Sequence, residues 1–427
     1  MKRRITIARA VFLAVLTAVV VLFGVNIASG PEKQITKAFA HSYGTEDPQF
    51  LRSMGVLLGP SLVGGNKVET LLNGAEIFPA MLAAIRAAKK TIAFETYIYW
   101  SGRVGKDFAD AIAERARAGV KVHVLTDWVG SQKMDQKLIE EMKAAGVEFE
   151  KYHPLAWYTL DRMNNRTHRK LLVVDGIVGF TGGVGIADEW DGHAQDKDHW
   201  RDTHFRLEGP AVAQMQAAFV DNWTKVSGVV LHGDAYFPPQ RDAGPLYAQV
   251  FKSSVDGGAE STHLMYLLSV AAATKTIDLS MAYFVPDDLT LAMPDAAMKR
   301  GVKLRIIMPG PITDATLVRR ASRALWGRIL AAGAEVYEYQ PTMFHCKVLV
   351  IDGLWTSVGS TNFDNRSFRL NDEANLNVYD RAFAERQIRD FGEDLKRSKR
   401  VTFEEWASRP WKERAWEKFL SWFGAQL

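Results

Sequence analysis

Two segments of the chain repeat a pattern suited to holding and attacking a phosphate. His168-Arg169-Lys170 is followed by four residues and Asp175, and His345-Cys346-Lys347 by four residues and Asp352. The two copies stand 177 residues apart. Alternate residues of a strand share a face, so each histidine presents its imidazole beside the ammonium of Lys170 or Lys347. Lysine neutralises phosphoryl oxygens, and histidine attacks phosphorus or carries a proton. One such pair is ordinary strand polarity, but two in matching surroundings are not. Asp175 and Asp352 lie seven residues past their histidines, an odd spacing that turns them to the other face and gives them a structural role. Each strand leads into a small-residue turn, Gly182-Gly183-Val184-Gly185 and Gly359-Ser360-Thr361-Asn362. Gly183, Gly185 and Ser360 are expected to let backbone N–H groups approach substrate, and Asn362 adds a side-chain donor.

The elements that must position these residues also come in two sets. Thr91–Ile98 resembles Thr276–Phe284, Ala118–Leu125 resembles Arg300–Ile307, and Ala144–Phe149 follows the pattern of Ala332–Tyr337. Short apolar or alternating runs such as TIAFETYIY and KLLVVDG read as strands, and helical stretches separate them. The fold class is therefore α/β, with two pseudo-symmetric α/β halves packed together behind an N-terminal transmembrane helix. The expected boundaries are an anchor over 1–30, a linker over 31–65, a first half over 66–232, a turn-rich connector over 233–245, a second half over 246–395 and a tail over 396–427.

Charge sharpens the two ends. The chain has 427 residues and a formal net charge of +4, from 53 basic and 49 acidic residues. Residues 1–30 hold Lys2, Arg3, Arg4 and Arg9 and no acid, so the body is formally neutral. That disfavours a nuclease or other nucleic-acid binder, which needs a basic excess. The 47% hydrophobic and 24% charged fractions exclude wholesale disorder. Residues 10–28 are apolar apart from Thr17 and Asn26 and would span roughly 28 Å as a helix. With the cations ahead of it, the segment reads as an anchor with its N-terminus inside and the body outside; a cleaved signal peptide exports the body equally. At the other end, Trp411, Ala415, Phe419, Trp422 and Phe423 share a helical face behind the cations Lys396, Arg397, Lys399, Arg400 and Arg409. This is an interfacial helix or a helix docked on the core. Trp157 and Tyr158, in the insertion Leu155–Met163, could meet a membrane interface or pack on the body. The cluster His193, Asp196, Asp198, His199, Asp202 and His204 fits no familiar metal-ligand spacing and reads as a solvated loop, a headgroup contact or, least, a metal site.

From about Asn66 onward the chain resembles the phospholipase D superfamily, whose mark is a paired H-x-K-x4-D motif, and within it the bacterial cardiolipin synthases. The strings that carry this are N-R-T-H-R-K-L-L-V-V-D-G (165–176), F-T-G-G-V-G-I-A-D-E-W (180–190), W-R-D-T-H-F-R-L-E-G-P-A-V (200–212), A-Y-F-V-P-D (282–287), F-H-C-K-V-L-V-I-D (344–352) and S-V-G-S-T-N-F-D-N-R-S-F-R-L-N-D-E (357–373). The resemblance implies a two-step reaction through a phosphohistidine, without metal or cofactor. His168 would be the nucleophile and His345 the general acid and base. Lys170, Lys347 and Asn362 would hold the phosphoryl oxygens. Asp202 would orient His168, and Glu373 would orient His345. The implied function is transfer of a phosphatidyl group from phosphatidylglycerol to a second phosphatidylglycerol with release of glycerol, at a bacterial inner membrane, with the body on the outer face. Alternatives are a phospholipase D hydrolase and a non-catalytic lipid-binding protein. The phospholipid membrane is the expected partner, with no nucleic acid, and no oligomeric state is implied.

Overall fold

A computed structural model describes residues 9, 11–18, 21, 35–154, 164–254 and 261–423. The first half supplies β1 (Val63–Leu72), β2 (Thr91–Thr96), β3 (Lys121–Asp127), β4 (Glu148–Tyr152), β5 (Arg166–Thr167), β6 (Leu171–Val174), β7 (Val178–Gly182) and β8 (Thr203–Glu208). The second supplies β9 (Leu246–Ser253), β10 (Thr276–Met281), β11 (Phe284–Val285), β12 (Lys303–Pro309), β13 (Glu335–Tyr339), β14 (Lys347–Ile351), β15 (Trp355–Gly359), β16 (Phe363–Asp364), β17 (Asn371–Tyr379) and β18 (Ser398–Val401).

The main sheet runs β18-β13-β12-β10-β14-β15-β17-β9-β1-β8-β7-β6-β2-β3-β4. Read outward from its centre, the two sides repeat each other. In the first half β2, β3 and β4 are parallel, and β6, β7, β8 and β1 continue antiparallel. In the second, β10, β12 and β13 are parallel, and β14, β15, β17 and β9 continue antiparallel. Parallel neighbours need crossovers, which the helices Arg103–Arg117, Gln136–Ala144, Asp288–Lys299 and Thr316–Ala331 provide. In the antiparallel part tight hairpins join β6 to β7 and β14 to β15. The halves meet where β1 pairs with β9, Val63 opposite Ala248 and Asn66 opposite Leu246.

Each half has its own outer apolar core, and a third core lies between them. There Leu171, Val173 and Leu207 share a cluster with Val350, Leu376 and Val378, filled by Met215, Phe219 and Trp223 of the helix Ala211–Ser227. Full burial of side chains this large contributes roughly 1.5–3 kcal/mol each, so the halves are welded rather than tethered.

Two expected boundaries change. The stretch 31–65, expected as a linker, contains the helix Pro48–Leu58, which crosses to the second half and packs Phe50 edge-on against Trp355 at 5.0 Å. It also contains the start of β1. The tail over 396–427 is not one helix. Its Ser398–Val401 pairs antiparallel with β13, and two helices follow, Phe403–Ala407 and Trp411–Ser421. Among the described residues no helix is long and apolar enough to cross a membrane. The anchor expected at 10–28 falls largely outside them, with 11–18 helical. The insertion 155–163 also lies outside the described residues.

Candidate active site

Each histidine is held by the opposite half. The two-residue β5 pairs in parallel with the start of β17, Arg166 opposite Asn371 and Thr167 opposite Asp372. The His168 N–H then donates to the Asp372 carbonyl at 2.8 Å. The second half repeats this. Arg201 bridges Phe344, and the His345 N–H donates to the Arg201 carbonyl at 2.8 Å. The residue after each of those carbonyls is an acid. His168 Nδ1 lies 3.0 Å from both carboxylate oxygens of Glu373, and His345 Nδ1 lies 2.7 Å from Asp202 Oδ2. The orientation expected from the resemblance is therefore reversed: Glu373 serves His168, and Asp202 serves His345. The reason is register across the halves, which seats each His-x-Lys strand beside the other half's acidic strand.

Both carboxylates are fully buried and fully engaged. Asp202 Oδ2 also accepts from the Trp190 indole N–H at 2.9 Å, and Oδ1 accepts from the Thr203 N–H at 2.8 Å. Glu373 accepts from the Ser360 hydroxyl and from the Asn371 amide at 3.3 Å. Burial alone would raise their pKa values. His345 in one case, and His168 with Lys170 in the other, more than offset this and keep both acids ionised. A carboxylate on Nδ1 leaves Nε2 of each ring to do the chemistry.

Burial also governs the basic groups. It lowers His168 to about 4, helped by the Lys170 and Lys347 cations and opposed by Glu373. It lowers His345 likewise, again helped by Lys347. Burial and then Lys347 bring Lys170 down to about 7. Burial lowers Lys347. Lys170 Nζ donates to the His168 carbonyl at 2.9 Å, and Lys347 Nζ to the His345 carbonyl at 2.7 Å. Two buried lysines with lowered pKa values are poised to gain from a bound anion.

The two sets share one cavity of about 610 Å³, whose wall includes His168, Lys170, His345 and Asn362. Asn362 Oδ1 has no hydrogen-bond partner among the described residues. Asp202 and Glu373 do not line the wall, and neither does Lys347, whose Nζ lies 3.1 Å from both ring nitrogens of His345. Gly183, Gly185 and Ser360, expected to touch substrate, do not line the cavity. Their smallness serves the carboxylates and the packing instead. A Cβ on Gly183 would lie 2.2 Å from Asp202 Oδ1, and one on Gly185 would lie 2.8 Å from Ile98 Cβ. The Ser360 hydroxyl is spent on Glu373.

Asp175 accepts from the backbone N–H groups of Lys89, Lys90 and Thr91, and Asp352 from those of Thr274, Lys275 and Thr276. Each ties its hairpin to the start of the neighbouring strand, away from the cavity. In the 190–204 cluster, Asp202 alone belongs to the site. Asp196 binds the His199 ring at 2.7 Å on the exposed loop, and His204 is buried apart, its pKa lowered by burial to about 3. Among the described residues no group of three or more His, Cys, Asp or Glu could hold a metal ion.

The cavity also contains residues that the motif reading missed. Tyr97 packs edge-on to His168 at 5.2 Å, and the Tyr283 hydroxyl donates to Asp314 at 2.6 Å. Arg166, Arg366, Trp100 and Lys133 are also in the wall, with Lys133 3.8 Å above the Trp100 ring. A signal for Arg166 and Arg366 is present, since both lie inside the strings that carry the family resemblance, two residues before His168 and four after Asn362. Asp314 had none.

The family model described as "Cardiolipin synthase, PLD-like domain" matches residues 81–216 and 267–395, one span in each half. The chain is 35% identical over 338 residues to cardiolipin synthase 2 of Bacillus anthracis, covering 78% of this chain and 66% of that protein, just under two thirds of its length. It is 34% identical over 348 residues to the major cardiolipin synthase of Bacillus subtilis strain 168, covering 81% and 72%. Among solved structures, phosphatidylserine synthase of Haemophilus influenzae Rd KW20 superposes with a TM-score of 0.70 at 15% identity, over 89% of this chain and 100% of that one, which shows a common fold. With the family matched in both halves and a third of the aligned residues identical, the chain belongs to the cardiolipin synthase family of phospholipase D-like enzymes.

Proposed function

We propose that the protein transfers a phosphatidyl group from phosphatidylglycerol to the terminal hydroxyl of a second phosphatidylglycerol, forming cardiolipin and releasing glycerol. The observation that carries this reading is the pair of carboxylate-anchored imidazoles facing one cavity. In the first step His168 Nε2 attacks phosphorus and forms a P–N bond. The P–O bond to glycerol breaks, its electron pair stays on oxygen, and His345 gives that oxygen its proton. Lowered in the empty site, His345 takes up this proton as the phosphodiester anion enters beside it. In the second step the acceptor hydroxyl passes its proton to the neutral His345 and attacks phosphorus, and His168 leaves. Lys170, Lys347 and Asn362 hold the non-bridging oxygens, whose charge grows in each transition state. Lysines with lowered pKa values gain most from that charge.

The substrate reading places the enzyme at a phospholipid membrane. Residues 10–28 form the anchor, the halves 66–232 and 246–395 form the catalytic body on the outer face of the inner membrane, and the exposed aromatics of the tail meet the bilayer. The test is product analysis with purified protein in phosphatidylglycerol vesicles. Cardiolipin and glycerol in equal amounts support transfer. Phosphatidic acid as the main product makes the protein a hydrolase, with water in the acceptor's place. A cytoplasmic signal from a C-terminal reporter would reverse the topology.

A further inference from the structure

The C-terminal helix Trp411–Ser421 is fixed to the body by its inner face. Leu420 packs with Val285 and Ala321. Glu417 is buried and takes Arg409 at 2.7 Å and Arg323 at 3.3 Å, and Arg323 also meets Glu413 at 3.9 Å, so the two cations on that side are matched by two acids. On the next face Trp411, Arg414, Ala415 and Lys418 follow at the spacing of one helical stripe. With Trp406 and Arg409 they line a second hollow, of about 430 Å³. The Arg409 guanidinium lies 4.4 Å over the Trp406 ring and forms one wall.

Among the described residues neither Arg414 nor Lys418 makes an ion pair. They stand one turn apart on a single helix, an arrangement that costs energy through like-charge repulsion. A shared anion would reverse the sign of that term. Beside the cations, Trp411 and Trp422 are 72% and 71% exposed, and Phe419 and Phe423 are exposed with them. A free anion would use the cations and leave these rings in water. A lipid headgroup engages both, with cations at phosphate level and aromatic rings at the interface.

We propose that this hollow binds the phosphate headgroup of an anionic phospholipid at the bilayer surface, as a site separate from the catalytic cavity. The helix lies along Thr316–Ala331, and the two residues before that helix, Asp314 and Ala315, line the catalytic cavity. A lipid gripped at the tail therefore sets how the cavity mouth faces the membrane. The proposal extends the lipid-substrate reading, but its test requires no turnover.

The full chain is reconstituted in phosphatidylcholine vesicles carrying equal fractions of either brominated phosphatidylglycerol or brominated phosphatidylcholine, and tryptophan quenching is measured. Brominated phosphatidylglycerol is expected to quench more. That excess should vanish in Arg414→Glu/Lys418→Glu and persist in Arg414→Lys/Lys418→Arg. Arg414→Gln/Lys418→Gln replaces the reversal variant if the latter does not melt cooperatively, and should also lose the excess. Equal quenching by the two lipids in the parent protein, or an undiminished excess in the neutral or reversed variants, overturns the site. Cleavage of a soluble p-nitrophenyl phosphodiester in detergent should be unchanged in all variants. A protein that shows the excess but cleaves nothing would sink the catalytic reading and leave this site standing.

Discussion

The two histidine sites use one geometry built from different parts. Glu373 reaches His168 with both oxygens and takes the hydroxyl of Ser360. Asp202 is one methylene shorter, reaches His345 with one oxygen, and takes the indole of Trp190. Gly183 occupies the position 177 residues before Ser360, and its missing side chain is the room that the Asp202 carboxylate fills. Where the second half puts Asn362 in the cavity wall, the first has Gly185, with Ile98 and Trp190 packed over it. The ring of His345 is flanked by Trp190 at 5.3 Å and Trp200 at 5.7 Å, whereas His168 has Tyr97. Acid length, turn residue and indole thus change together. The lesson is that the sites are equivalent in plan but specialised in surroundings, as the nucleophile and proton-transfer roles proposed for them would require.

The largest expected effect separates those roles. His168→Ala should abolish both turnover and the covalent intermediate. His345→Ala should cut turnover of phosphatidylglycerol by about 10²–10⁴-fold. It should still release a burst of p-nitrophenol from an activated phosphodiester, whose leaving group needs no proton. Phosphate trapped on His345 instead would exchange the assignments.

Next come the carboxylates. Glu373→Gln and Asp202→Asn should each lower kcat on the order of 10²-fold or more, by loss of ring orientation and of support for the imidazolium. Double-mutant cycles on stability sharpen the crossing. Coupling of about 0.5–3 kcal/mol is expected for His168 with Glu373 and for His345 with Asp202, and close to none for the uncrossed pairs.

The pH profile should be set mainly by the first-half motif. The depressed Lys170 loses its charge as pH rises through about 7, and the depressed His168 gains a proton only near 4. The kcat/KM for the free enzyme should therefore fall on the alkaline side above about 7 and on the acid side toward 4. Lys170→Arg should move the alkaline limb upward, whatever it costs in absolute rate, because guanidinium stays charged. An unmoved limb would assign it to another group.

The smallest effects test the turn. Gly183→Ala forces Asp202 off its ring and should lower activity more than Ser360→Ala. The latter removes one hydrogen bond from Glu373 and should cost about 1 kcal/mol, or roughly fivefold. The reverse order would mean that the shorter acid is the more adaptable one.

Much of this was legible in the sequence, and the exceptions have physical causes. The paired motifs and the two halves follow from strings that repeat, and the acids Asp202 and Glu373 from the family resemblance. Their crossing does not, because two acids and two histidines allow two pairings that nothing local distinguishes. It rests on the pairing of Arg166 and Thr167 with Asn371 and Asp372. The turn glycines suggest an anion cradle in the sequence because small residues admit any close neighbour. At Gly182 that neighbour is β8, where a Cβ would meet His204 Cα at 2.6 Å under a φ of 157°. The strand Ser398–Val401 was read as part of a tail because Ser398-Lys399-Arg400-Val401 is charged and brief, as edge strands are.

The crossed carboxylates also bear on synthesis of the chain. His168 acquires its acid partner only from a residue 205 positions later. While the ribosome is still making the second half, the first carries a histidine and a lysine but no Glu373 to steady them. A nascent or truncated chain ending before residue 373 therefore leaves the His168 ring without the carboxylate that orients it. The crossed pair that we propose for catalysis is complete only in a polypeptide translated nearly to its end.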